Sequence, residues 1–339
     1  MTPLRITRVA AACALGSALL LAACSSGDQS GQSDQSGDAA ASGSQSGAAV
    51  SCALATDPPT VDRSGAGNFP DATGGYGEVP TISAGTGEEP DTVQVKTLVQ
   101  GDGAQVGSSD FILADYAGAL WSDGSVFDSS FTRGAPAGFG LDQVIAGWQY
   151  GLADQHVGDR VEVVIPCQYG YGDQDTGGTI PAGSTLVFVV DIENAVDGSD
   201  VSALTAATPT GDALPTGITV SGDLGSEPAL SFADGADNAQ STTVVAKGAG
   251  AAITDSDYVI YQAVGALLED PSTMSSTWTS AGPQMFQPGV ADLVGQTVGS
   301  RVLFVFPPTA DASQSGATQA ETSTTVMVVD IVGVLSPQS

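Results

Sequence analysis

Hydrophobic and polar residues alternate with a period of two along several stretches between residues 91 and 196. In residues 160–166 the regularly spaced apolar positions are Val161, Val163 and Ile165, so one face of an extended segment is apolar. Such alternation is typical of a strand with one buried face. The pattern predicts strands at residues 93–99, 111–120, 160–166 and 185–194.

A single short helix is predicted between the second and third of these strands. Asp142 is a suitable N-cap residue, and the apolar residues that follow fall on one side at helical spacing. These apolar residues are Val144, Ile145, Trp148 and Leu152. Several strands and one short amphipathic helix indicate an α+β domain in which the helix covers one face of an antiparallel sheet.

The second half of the chain repeats the pattern of the first. The segment VGDRVEVVIP returns as VGSRVLFVFP, and TLVFVVDI returns as TTVMVVDI. Two repeats are too few for a solenoid, so they indicate two domains of one fold. The predicted boundaries are a first domain at 51–197 with its core at 91–196, a linker at 198–215 and a second domain at 216–335.

The N-terminal region is not expected to fold. Residues 1–23 combine two arginines with a short apolar run and are typical of an export signal. The run ends in LAAC, which resembles the lipobox of bacterial lipoproteins, and the resemblance implies cleavage before Cys24 and a diacylglycerol anchor on its sulfur. An ordinary secretory signal with an incidental cysteine is the alternative. Residues 24–50 are rich in Ser, Gly, Gln and Asp, and we expect a flexible tether.

The net charge of the chain limits the classes of partner that it can bind. It has 38 Asp and Glu against 8 Lys and Arg, a formal net charge of −30. Nucleic acid is not expected as a partner, because binding it requires a basic face. Attraction of so acidic a chain to anionic lipid is not expected either. Acyl chains would therefore have to hold the protein on the extracytoplasmic face of the cell membrane. No ligand spacing indicates a metal, no residue pattern indicates acyl transfer, and no cofactor is expected.

Cys52 and Cys167 are the cysteines that remain beyond the leader and the lipidation site. An even pair in an exported protein indicates a disulfide, and two free thiols are the alternative. A bridge would close a loop of more than 100 residues and would hold the N-terminal segment against the first domain.

One region gathers aromatic residues, although only 6% of the chain is aromatic. It contains YAGALWSDGSVFDSSFTRG, GFGLDQVIAGWQYGL, VIPCQYGYG and TIPAGSTLVFVVDI. These motifs, in this order, resemble the FKBP-type peptidyl-prolyl cis–trans isomerases, the immunophilins that bind tacrolimus and rapamycin. The resemblance covers about residues 93–196 and implies an antiparallel sheet wrapped around one short helix.

The resemblance also implies an apolar pocket with a polar rim that receives Xaa-Pro segments of exported proteins. The implied catalytic residues are Tyr116, Phe127, Asp128, Ile145, Trp148 and Tyr171. The implied substrate-binding residues are Val144, Phe139, Ile180, Phe188 and Arg133. Trp148 would form the floor, and Arg133 would hold Tyr116 and Asp128 in place. The alternative function is a non-catalytic chaperone or binding module that holds Pro-containing segments in the same pocket.

The second unit departs from the family at the pocket. The replacements are Ala263 for Tyr116, Met274 for Phe127 and Ser275 for Asp128. Trp148 has no aromatic counterpart, because residues are missing from the helix region. The second unit is therefore predicted to be a degenerate FKBP-like domain, a spacer or protein-binding module. Its candidate contact residues are Trp278, Met274 and Met285.

Overall fold

The computed structural model describes residues 52–174, 176, 178–308 and 323–338. The predicted export signal, Cys24 and the tether lie outside the described residues. Across these described ranges, no helix is both long enough and apolar enough to cross a membrane.

The first sheet is built by the first half of the chain. The strands are β1 (Val61–Asp62), β2 (Ala72–Thr73), β3 (Thr81–Ile82), β4 (Val93–Val99), β5 (Phe111–Leu120), β6 (Val126–Ser129), β7 (Ala137–Gly140), β8 (Arg160–Ile165) and β9 (Leu186–Val196). Their order across the sheet is β1-β4-β8-β9-β5-β6, β7 also pairs with β5, and β2 pairs with β3 separately. The pairings are antiparallel except that of β1 with β4. The predicted antiparallel sheet is confirmed.

The helices are α1 (Ser130–Arg133), α2 (Ala146–Leu152) and α3 (Ser202–Thr205). The predicted helix is α2, but Asp142 does not cap it. Leu141–Gln143 form a separate 3-10 turn, so α2 begins later, with Ile145 as its N-cap residue. Gly147 lets α2 lie close to the sheet, since a Cβ there would come within 2.2 Å of the Ile165 side chain.

The two faces of the first sheet are covered differently. Trp148 and Leu152 of α2 are buried against the face that carries Val163. Part of the N-terminal segment covers the other face, where Ile82 packs into a second apolar cluster with Trp121. Apolar burial on both faces is the main stabilising contribution for a sheet of this kind.

An ion pair ties the N-terminal segment to the sheet. The fully buried Arg160 pairs with Asp191 at 2.6 Å. The same guanidinium donates hydrogen bonds to the carbonyls of Gly75 and Glu78. The N-terminal segment is therefore an integral layer of the first domain.

The second sheet is built by the second half of the chain. The strands are β10 (Thr208–Pro209), β11 (Ile218–Ser221), β12 (Ala229–Phe232), β13 (Ser241–Lys247), β14 (Tyr258–Leu267), β15 (Asp270–Ser276), β16 (Gln284–Phe286), β17 (Arg301–Phe306) and β18 (Thr325–Leu335). Their order is β10-β13-β17-β18-β14-β15, with β16 also paired to β14 and a separate β11–β12 hairpin. The second sheet thus has the same arrangement of long strands as the first.

Two features of the second half differ from a simple copy of the first. Where α2 lies in the first domain, residues 287–300 of the second form turns around the buried Leu293 and include no helix. The segment predicted as a linker is structured, because it contains α3 and strand β10 of the second sheet. Leu204 of α3 is fully buried. The pairing of β10 with β13 thus joins residues before 216 to the second sheet.

An apolar cluster joins the two sheets. It contains Phe111, Leu113, Leu204, Tyr258, Ile260, Val332 and Leu335, with Val196, Val201, Trp278 and Met285 partly buried around them. We call this set the interdomain cluster. Two of the predicted second-domain contact residues, Trp278 and Met285, belong to it, whereas Met274 is 43% exposed.

Candidate active site

The centre of the candidate site is the indole of Trp148, which α2 presents to the sheet. Three rings surround it edge-on: Phe139 at 5.0 Å, Phe188 at 5.2 Å and Tyr116 at 5.3 Å between centroids. Phe127 of β6 extends the set, at 5.6 Å from Phe188. Edge-to-face pairs at these separations are favourable beyond the area that they bury.

A glycine behind the rings makes this arrangement possible. A Cβ at Gly118 would lie 2.6 Å from the rings of Phe127 and Phe188. A glycine in the middle of β5 is therefore required for both rings to lie against the strand. Strand pairing also places Gly118 opposite Phe188 and opposite Asp128.

Asp128, Arg133 and Tyr116 form the polar rim. The Tyr116 hydroxyl donates to one carboxylate oxygen of Asp128, and the Arg133 guanidinium contacts the other. Arg133 also donates to the Tyr116 hydroxyl oxygen at 2.9 Å. The three side chains thus fix one another, in the arrangement that the resemblance implied for Arg133.

Burial and the contacts within the rim shift the pKa values of its side chains. Burial and the hydrogen bond to Asp128 raise the pKa of Tyr116, which keeps its hydroxyl protonated. Partial burial opposes ionisation of Asp128, but the hydrogen bonds from Tyr116 and Arg133 and the positive charge of Arg133 outweigh it. The pKa of Asp128 is therefore lowered. At neutral pH the rim contains a carboxylate, a guanidinium and a neutral phenol.

The other predicted site residues pack against the same core. Tyr171, Val144 and Ile145 are partly buried there, and Ile180 is 6% exposed. Burial raises the pKa of Tyr171, and the charge of Asp128 raises it further, so the Tyr171 hydroxyl is a neutral donor. The structure brings all the predicted pocket residues into one region.

The sequence reasoning missed one positioning residue, Ser130. Its fully buried hydroxyl accepts from the Tyr116 N–H at 2.7 Å and donates to Asp115 at 2.6 Å. Ser130 begins α1, which ends at Arg133, so this hydroxyl fixes the helix that supplies the rim guanidinium. A lone serine gives no sequence signal for such a role.

A disulfide lies beside the site. It joins Cys52 to Cys167, whose Cα atoms are 6.2 Å apart. The Cys52 N–H also donates to Asp173 at 2.6 Å, and the Ala55 N–H donates to the Gln168 carbonyl at 3.0 Å. The N-terminal segment is thereby attached to the loop that carries Tyr171.

Comparison with known proteins shows the family to which the chain belongs. The family model of the FKBP-type peptidyl-prolyl cis-trans isomerases matches residues 103–193. The chain is 38% identical over 118 residues to the FK506-binding protein of Streptomyces anulatus, covering 34% of this chain and 95% of that protein. The chain belongs to the FKBP-type peptidyl-prolyl cis-trans isomerases.

Other FKBP proteins are also similar to this chain. The FKBP-type 22 kDa isomerase of Escherichia coli (strain K12) is 42% identical over 100 residues, which are 30% of this chain and 48% of that protein. This chain therefore spans about half the length of that relative. The crystal structure of FkpA from Escherichia coli is 37% identical, with a TM-score of 0.30, over 32% of this chain and 50% of that one.

The FKBP match ends before the second sheet, which has a different set of residues at the equivalent positions. Ala263 lies opposite Val329 as Tyr116 lies opposite Val190 in the first sheet. Strand pairing likewise places Ser275 beside Gly265, where the first sheet has Asp128 beside Gly118. The described second domain thus has neither the rim carboxylate nor the rim phenol at these positions.

Proposed function

We propose that this FKBP domain isomerises Xaa-Pro bonds of exported proteins, on the extracytoplasmic face of the membrane to which a lipid on Cys24 anchors the chain. The observation that carries the proposal is the Cys52–Cys167 disulfide. Disulfides persist in oxidising compartments and are rare in the cytosol. The disulfide thus supports export, and the LAAC motif supports lipid attachment at Cys24.

The proposed mechanism is non-covalent. Amide resonance opposes rotation with a barrier of roughly 18–20 kcal/mol, and an Xaa-Pro bond has nearly balanced end states. A twisted amide has lost this resonance and is less polar than the planar one. The pocket of rings around Trp148 excludes water, so it favours the twisted state over the planar one, which is the condition for catalysis.

Polar groups at the rim would orient the substrate. Ile145 is the N-cap residue of α2, and N–H groups at the start of a helix have no intrahelical acceptor. We assign the Ile145 N–H and the Tyr171 hydroxyl as donors to the carbonyls that flank the proline. Asp128, held by Tyr116 and Arg133, would complete the polar rim of the pocket.

The same pocket should bind tacrolimus- and rapamycin-type inhibitors. A preformed apolar pocket with a few fixed polar groups suits such ligands. Smaller residues stand at three positions where bulkier ones are expected from the family resemblance: Ala137 on β7, and Thr176 and Thr179 in the overhanging loop. We expect these positions to tune inhibitor affinity and substrate preference.

Catalysis is tested with a protease-coupled assay on a short Xaa-Pro peptide, using the mature chain from Cys24. Phe127→Ala should lower kcat/KM by about 10- to 100-fold, because it opens one wall of the pocket. The matched control is Val126→Ala, since Val126 is on the same strand and 52% exposed. Wild-type activity no greater than buffer, or equal activity of both variants, would contradict the proposed site.

Anchoring and export are tested separately in cells. Cys24→Ser should release the protein from the membrane fraction, with its folded domains unchanged. Thiol alkylation of the exported protein without reductant should leave Cys52 and Cys167 unlabelled. A membrane-bound Cys24→Ser protein, or labelling of both cysteines, would refute the corresponding part of the proposal.

We propose that the second domain is a degenerate FKBP-like domain with a supporting role. Its strand order matches that of the first sheet, and its pocket positions carry other residues. A spacer that carries the FKBP domain away from the membrane and a surface that binds client proteins are both consistent with this arrangement. The interdomain cluster favours the supporting role, because it buries Trp278 and Met285 against the first domain.

A further inference from the structure

Phe139 is the pocket wall that comes from β7. Its ring lies 5.0 Å from that of Trp148 and 5.6 Å from that of Tyr116, between centroids. β7 is only four residues long and hydrogen-bonds to β5 on one side. A short edge strand with a single partner opens easily, so the position of Phe139 depends on what supports the other side of β7.

The second domain supplies that support. The Tyr258 hydroxyl donates to the carbonyl of Pro136, directly before β7, at 3.2 Å. A Cβ at Gly138 would come within 2.7 Å of the Tyr258 ring and 2.9 Å of the Met285 sulfur. Tyr258 therefore contacts the chain at Pro136 and at Gly138, the two neighbours of Ala137. Gly138 immediately precedes Phe139.

Tyr258 is itself held rigidly. It is 8% exposed and packs in the interdomain cluster with Phe111 and Ile260. Gly138 has no side chain, and this allows the ring to lie directly on the backbone of β7. A tyrosine fixed in this way can transmit its position to the short strand β7.

We infer that Tyr258 of the second domain is a positioning residue for the FKBP pocket, which it acts on through β7 and Phe139. The inference rests on isomerase activity of the first domain. It gives the second domain a role in the reaction although that domain lacks the rim residues. The second domain would thereby hold one wall of the pocket in its catalytic position.

The test uses the full mature chain and three variants. Tyr258→Ala removes ring and hydroxyl and should lower kcat/KM by about 10-fold, because the Phe139 wall is displaced. Tyr258→Phe removes only the hydrogen bond to Pro136 and should lower kcat/KM by about 3-fold. Val332→Ala is the control, since Val332 lies in the same interdomain cluster but on β18, beside Val196, and no contact of Val332 with Pro136 or Gly138 is among those that place Tyr258 on β7. It should leave kcat/KM unchanged.

Two further readouts separate positioning from general destabilisation. The indole N–H resonance of Trp148, identified by its loss in Trp148→Phe, should shift in both Tyr258 variants and stay in place in Val332→Ala. In a Phe139→Ala background, Tyr258→Ala should cause no further loss of activity, because the two residues act in series.

An unshifted Trp148 resonance in Tyr258→Ala would overturn the inference, and so would an equal loss of activity in Val332→Ala. Additive effects of Phe139→Ala and Tyr258→Ala would also overturn it. If the wild-type chain proved inactive, the proposed function would fail on its own, and the Trp148 resonance would still decide whether Tyr258 positions the pocket.

Discussion

The first and second sheets carry a buried ion pair at the same place. Arg160 pairs with Asp191 and Arg301 pairs with Asp330, each with an N–O distance of 2.6 Å. The Arg160 guanidinium also donates to the carbonyls of Gly75 and Glu78, and the Arg301 guanidinium also donates to the carbonyl of Ser226. The ion pair therefore belongs to the framework of both domains and not to catalysis.

A buried hydroxyl is also placed alike. Ser130 accepts from the N–H of Tyr116, and Thr277 accepts from the N–H of Ala263 at 2.8 Å. The second domain retains the hydroxyl although Ala263, the counterpart of Tyr116, has no phenol to orient. Ser130 thus has a framework role that both domains share. In the first domain it also positions the rim.

The apolar cores differ at the pocket itself. Tyr261 lies opposite Ile331 where the first sheet has Ala114 opposite Ile192. Its ring stacks on Phe286 at 3.8 Å. A large ring at this position changes how the core is filled, although the strand order stays the same. The residues around the pocket can therefore change without a change in the strand order of the sheet.

The largest expected difference between the domains is catalytic. A fragment of residues 198–338 should show no isomerase activity, whereas residues 52–197 should retain some. The second-domain fragment starts at 198 because Leu204 and β10 belong to that domain. Both fragments expose their half of the interdomain cluster, so circular dichroism must first show that each is folded. Catalysis by the second fragment at a rate comparable to the first would mean that it has its own pocket.

The ion pairs should contribute to the two domains about equally. Arg160→Met and Arg301→Met should each destabilise its own domain by about 3–5 kcal/mol, because each leaves a buried carboxylate unpaired. The measurement is urea denaturation of the full chain. As the matched control, Arg160→Met combined with Asp191→Leu should recover most of the loss. A loss below about 1 kcal/mol in either domain would contradict a shared framework role.

A smaller difference concerns Glu162, whose register position in the second sheet is occupied by Leu303. Burial raises the pKa of Glu162 to about 7; Lys96, 3.9 Å away, lowers it, and Asp71 raises it. The folded chain thus holds this proton at pH values where the unfolded chain has lost it. The stabilisation is full below about pH 4.5 and declines as the pH rises through about 7.

Glu162→Gln should therefore stabilise the first domain at pH 8 by on the order of 2 kcal/mol and have little effect at pH 4.5. Glu162→Leu, which copies the second sheet, should do the same. The free energy of unfolding from urea denaturation at both pH values checks this. A stability gain of the same size at pH 4.5 would assign the effect to packing and not to ionisation.

The sequence was sufficient for the long strands and for the pocket residues. The strands β4, β5, β8 and β9 alternate clearly because one apolar face must be buried, and this signal is local. Trp148 stands out within the one short amphipathic helix. The motifs around these residues occur in family order, so the resemblance predicted that site residues far apart in the sequence lie close together.

Several features had no local signal. Within the described residues 52–92, before β4, the strands are only two residues long, and Arg160, far along the chain, ties this segment to the sheet. The start of α2 was misplaced because Asp142 is a good cap residue, while the backbone at that point turns as a 3-10 helix. In both cases long-range packing decided between locally reasonable options.

The sequence by itself predicted which residues gather around Trp148, because burial of alternating side chains and the order of the motifs are written along the chain. Only the tertiary structure decided what supports that pocket. Tyr258 and Gly138 are 120 residues apart, and Tyr258 lies outside the motifs that carry the family resemblance. Their contact exists because two sheets pack through an apolar cluster, and the geometry of such packing is a property of both surfaces together.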